Sequence, residues 1–172
     1  ALHNWDDSAA ATIVNAITEE LRRGMVVETA SVSQWIRAHN DDPAAVVHCI
    51  TTVPPAQINI LQLWSKAGSQ KLVFLANWQI AQREVVLKRF IDAEAAKQLI
   101  PRELIAHALS TKPPNIIETH LMNNRYGEPF LVEGRLQDVL RDDWDAKGIA
   151  ELANLLREIA SALAFLEERG DV

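Results

Sequence analysis

The residue types in this chain that invite catalysis or metal binding are five histidines and a single cysteine. Structural and catalytic zinc sites draw their ligands at short recurring spacings, such as two histidines four apart on one helix face. His3, His39, His48, His107 and His120 show no such spacing. His48 and Cys49 are adjacent, so on a helix they diverge by about 100° and do not share one ion. A cysteine–histidine pair needs only to meet in space. Yet Cys49 sits in the apolar run Val47-His48-Cys49-Ile50, where an inert buried thiol is the expected state. The six glycines are scattered, so no phosphate-cradling loop, dinucleotide fingerprint or Gly-x-Ser-x-Gly elbow is present. The carboxylates of Asp41-Asp42 and of Asp142-Asp143-Trp144-Asp145 fall at helix starts, where acids favour the helix dipole. A site assembled from distant residues such as His107, His120 and Tyr126 has nothing in the sequence to select it. The expectation is a protein without metal, without cofactor and without enzymatic activity.

Composition narrows the class further. The 172 residues are 48% hydrophobic and 23% charged, an ordinary globular balance that supports one sizeable core, so residues 1–172 read as a single domain. The formal net charge of −6 does not favour general binding to nucleic acid, which depends on cations neutralising phosphates. One cysteine permits no intrachain disulfide, and no apolar run is long enough to span a bilayer. A reducing, cytoplasmic setting with no membrane partner is the expectation. The chain begins at Ala1 and stops soon after a helix at Val172, which suits an excised domain and a compact complete one equally.

The pairs Pro54-Pro55 and Pro113-Pro114 divide the chain into thirds. Asp6, Asp7 and Ser8 offer N-cap oxygens to a first helix carrying Ile13, Val14, Ile17 and Leu21, and Gly24 stops it. Short helices are expected from Ser31 to His39 and, after Asn40-Asp41-Asp42-Pro43, from Ala44 to Val53. Residues 57–79 fit two helices with a Gly corner or a β-hairpin. Ile80 to Leu99 reads as a helix with Val85, Val86, Phe90 and Ala93 on one face, and Pro101 as the start of another through Leu109. Ile116 to Met122 and Pro129 to Val132, around Asn123-Asn124-Arg125-Tyr126-Gly127, read as a β-hairpin. Leu136, Val139 and Leu140 suggest a further short helix. The whole predicts an α+β fold that is predominantly helical, with a bundle-like core and one or two small hairpins.

Binding surfaces are the remaining source of function. From Asp145 to Arg169, Ile149, Leu156 and Leu163 fill one heptad position, and Leu152, Ile159 and Leu166 fill the other. Such a seam must be buried, either in the domain's own core or on another chain. Leu155 and Phe165 widen it, so Leu155, Leu163, Phe165 and Leu166 are the candidate partner-binding residues. Trp5 and Trp144, set among acids, suit staples over helix starts. A second reading takes the polar helix with Gln34 and Arg37, together with Arg83, Lys88 and Arg89, as a local basic patch for nucleic acid. Solvated residues paired with nearby acids are the plainer account of that patch. The leading expectation is an adaptor or assembly module that docks on a protein, or on its own copy, through an apolar helical face.

Overall fold

The computed structural model describes residues 7–25, 27, 29–65, 70–104, 117–135 and 148–168. The chain opens with three helices, α1 (Asp7–Arg22), α2 (Thr29–Ala38) and α3 (Pro43–Thr51). Three strands follow, β1 (Ile58–Ser65), β2 (Lys71–Trp78) and β3 (Arg83–Phe90). Then come α4 (Ala93–Leu104), β4 (Thr119–Asn123), β5 (Pro129–Gly134) and α5 (Ile149–Glu167). The strands form one antiparallel sheet in the order β1-β2-β3-β5-β4. The expected bundle-like core is therefore wrong: the core is a five-stranded sheet with helices on it.

Two segments carry that correction. Of the two alternatives for residues 57–79 the strands are formed, β1 pairing antiparallel with β2, and Ile80 to Leu99 is strand β3 followed by the start of α4 rather than one helix. In β3 the alternation is masked because both sheet faces are covered. Val85 and Leu87 enter the core on one side, and Phe90 packs on the other with Leu131 and Ala96. A strand buried on two faces loses its polar alternation and mimics a helix stripe. Pro101 does not begin a helix but lies inside α4.

The helical layer on the first face is built around α3. Ala45 and Cys49, four apart, face the sheet with Phe74, Leu87 and Phe130. Val46 and Ile50, also four apart, face Ile13 of α1 and Val32 of α2. A helix used on two sides must be short and apolar, and Pro-Ala-Ala-Val-Val-His-Cys-Ile-Thr is that. Asp42 caps it by accepting from the Ala45 amide at 3.1 Å, with Pro43 in the first turn where its missing N–H costs nothing. On the second face, α4 lays Leu99, Ile100 and Leu104 against Phe90 and Leu131, capped by Asp92.

The first-helix and hairpin expectations hold. α1 ends before Gly24, whose φ of 75° is the left-handed stop that glycine permits. β4 and β5 pair antiparallel around the Asn124–Gly127 turn, with Met122 opposite Phe130. The expected helix near Leu136 to Leu140, the continuation of the Pro101 helix to Leu109, and Trp5 and Trp144 all lie outside the described residues.

Candidate functional site

Four of the seam residues of α5 are presented to solvent. Ile149 is 89% exposed, Leu156 60%, Leu163 50% and Ile159 44%. At 100° per residue these four fall within an arc of about 80°. Ala153 and Ala160 lie beside them and are also exposed. Leu152, Leu155, Ala162 and Phe165 are half-buried: Leu152 falls within the arc of the stripe, Leu155 and Ala162 lie along its border, and Phe165 is farther round the helix. The side chain of Leu166 lies outside the described residues. No other described element packs substantially on α5. Gly148 precedes the helix, and its amide donates to Glu151 Oε2 at 3.3 Å, a capping arrangement that satisfies one free N–H. Of the four partner-binding candidates, Leu163 thus lies in the exposed stripe, Leu155 borders it and Phe165 lies on another side of the helix.

The basic candidates do not share a surface. Gln34 spans from α2 to donate to the Leu61 carbonyl at 3.4 Å, and Arg37 is exposed in the last turn of α2. Arg83, Lys88 and Arg89 are all on β3, where Lys88 points to the opposite sheet face from the other two. Each meets a carboxylate: Arg83 with Glu118 at 3.2 Å, Lys88 with Glu133 at 2.7 Å, Arg89 with Glu128 at 3.9 Å.

Cys49 is fully buried, and its desolvation pushes the thiol up to about 12, against a weaker opposing backbone hydrogen bond from Leu63. A thiol held so high is neither nucleophile nor metal ligand near neutrality. His39 has a structural role: its Nε2 accepts from the Leu63 amide at 2.9 Å, which fixes the tautomer with the proton on Nδ1. His120 stacks edge-on to Trp78 at 5.4 Å and lies 2.9 Å from Glu118. The Arg83 hydrogen bond, outweighing partial desolvation, holds the Glu118 carboxyl below its usual range. Tyr126 is elsewhere, donating to Met25 Sδ at 2.8 Å, and His107 lies outside the described residues. His120 and Tyr126 therefore belong to separate groups. Among the described residues no cluster of histidine, cysteine and carboxylate suits a metal ion.

A second feature was not legible in the sequence. A cleft of about 470 Å³ opens where the α1–α2 connection, the end of α3, the start of β1 and the β4–β5 turn converge. Val27, Trp35, Ile50 and Val53 give it apolar walls, and Ser31 and Arg125 stand among them as polar groups. Buried Asn124 holds the turn in place. Its Nδ2 donates to the Val53 carbonyl at 3.0 Å, and its Oδ1 accepts from the amides of Tyr126 and Glu128. Arg125 and Tyr126 both reach Met25, so the hairpin turn is tied to the α1–α2 connection across the cleft. Gln57, at φ 69°, makes the tight bend that leads from Pro54-Pro55 into β1.

No protein-family model matches this chain, and no curated protein matches it at a significant level. Among the described residues no helix is long and apolar enough to cross a membrane.

Proposed function

We infer that the protein is a non-enzymatic interaction module that docks on another protein surface through α5. The observation that carries this reading is the run of Ile149, Leu156, Ile159 and Leu163, all exposed on one side of a 19-residue helix. Contiguous exposed apolar surface is costly in water and marks interaction sites in folded proteins. Spacings of seven, three and four residues are those of a helix laid against a helix or into a groove. The polar side of α5, with Glu151, Arg157 and Glu158 exposed, stays in solvent in such a complex. The pairing of Arg83, Lys88 and Arg89 with carboxylates gives the nucleic-acid reading less support.

The test is the double variant Leu156→Glu/Leu163→Glu. Two charges placed in the stripe remove partner capture or self-association by at least about 10-fold, because a buried unpaired carboxylate is strongly disfavoured. The far-UV spectrum and unfolding midpoint of the isolated protein stay as they are. Undiminished association of the variant, followed by light scattering and by partner capture, rejects α5 as the docking element.

A further inference from the structure

The cleft beside β1 has a feature that a mere surface dent lacks: its floor includes a short stretch of that strand's outer edge, at the buried Ile58 and Ile60. Asn59 pairs with Asn77, and the Gln79 amide bonds the Gln57 carbonyl at 2.9 Å, so residues 57 and 59 direct their backbone groups at β2. Ile58 and Ile60 therefore turn theirs the other way. Two of those outward groups are occupied. The Ile58 amide donates to the Pro55 carbonyl at 3.2 Å, and the Ile60 carbonyl accepts from Trp35 Nε1 at 3.0 Å. The Ile58 carbonyl and the Ile60 amide have no partner among the described residues, and both residues line the cleft. One acceptor and one donor, flanking a single residue, is the arrangement that one amino acid of a parallel extended strand satisfies with its own N–H and C=O.

The charge in the cleft points the same way. Arg125 contacts the Met25 sulfur and the Tyr126 ring, and meets no carboxylate among the described residues. Nearby Glu128 is already engaged by Asn124 Nδ2 at 2.7 Å. A guanidinium beside an apolar-walled cavity is a receptor for a carboxylate attached to an apolar group.

We propose that the cleft binds a short extended peptide segment, which pairs its backbone with Ile58 and Ile60, seats an apolar side chain against Trp35, Ile50 and Val53, and places a carboxylate on Arg125. The carboxylate comes from a free C-terminus or from an acidic side chain; both share this chemistry. None of the residues involved belongs to α5, so the site stands or falls independently of the docking helix.

The experiment is titration of the ¹⁵N-labelled 172-residue chain with three pools of hexapeptides whose last residue is apolar. One pool has free C-termini, one is C-terminally amidated with no acidic residue, and one is amidated with an Asp or Glu before the last residue. The expected result is a shift of the Ile60 amide resonance, with a change in Trp35 emission, from the first or the third pool. Affinity falls at least 10-fold for the uncharged amidated pool and for Arg125→Gln. Response to the first pool alone assigns the carboxylate to a chain terminus; response to the third assigns it to a side chain. Arg125 is an exposed turn residue, and Ser31→Trp, which fills the cleft, is the second variant and abolishes binding. Equal binding of charged and uncharged pools, binding that leaves Ile60 unmoved, or no binding at millimolar peptide overturns the proposal.

Discussion

At the scale of single residues, the hydrogen-bonding side chains do more to fix this structure than the sequence pattern suggests. Asn124 is 6% exposed and bonds four groups of the α3–β1 connection and the hairpin turn. Asn124→Ala leaves the amides of Tyr126 and Glu128 unsatisfied and is expected to cost about 2–3 kcal/mol, measurable by urea unfolding. Cys49 offers a complementary check. Its thiol, held near 12 by burial, is expected to resist iodoacetamide in the native protein and to react at the normal rate once urea unfolds the chain. Fast native labelling would show that the α3–sheet interface opens readily. Cys49 was legible as an inert buried thiol because its neighbours are apolar. The role of Asn124 was not, since an Asn in a turn reads first as a conformational choice and only the fold supplies its partners.

At the scale of elements, the free edge of β1 is managed by side chains from α2. Gln34, Trp35 and His39 bond the backbone of Leu61, Ile60 and Leu63 in turn. Two residues of α2 and the one that follows it thus substitute for part of a neighbouring strand. His39→Ala strips the acceptor from the Leu63 amide and is expected to destabilise by about 1–3 kcal/mol. Trp35→Phe keeps the ring but loses the Ile60 bond, at about 1 kcal/mol, both read from thermal or denaturant unfolding. The ends of α1 and α3 were legible because capping acids, Pro43 and Gly24 act locally. β3 was not, because helices on both faces bury its residues on both sides. Val85-Val86-Leu87 carries no period that distinguishes strand from helix. The cleft was hidden for a related reason: Met25 and Tyr126 are 101 residues apart and meet only through the sheet.

For the molecule as a whole, the sheet carries helices on both faces, and no other described element packs substantially on α5. Ending the chain after Gly148 is expected to shift the unfolding free energy of the remainder by less than about 1 kcal/mol, checked by denaturant titration of the shortened protein. A loss of several kcal/mol would place the seam of α5 inside the core after all. An isolated helix of this length is marginal in water, so a partner that covers the stripe is expected to raise its helicity, which circular dichroism reads directly. The a/d seam itself was fully legible in the sequence. Whether it faced inward or outward was not, because periodicity gives the position of an apolar stripe and not its destination.

The strand order has a consequence for how the chain reaches this structure. β1 pairs with β2, β2 with β3, and β4 with β5, so each group forms from contacts close in sequence. The two groups join only along β3 and β5, across everything between Phe90 and Pro129. Closing that long loop costs chain entropy before any contact rewards it. Two quickly formed hairpin units would then wait on a single slow meeting, at which Leu87 and Val132 come side by side. On that order of events, contacts within the hairpin units and on the join set the folding rate, while contacts made only after the meeting govern how long the native state lasts.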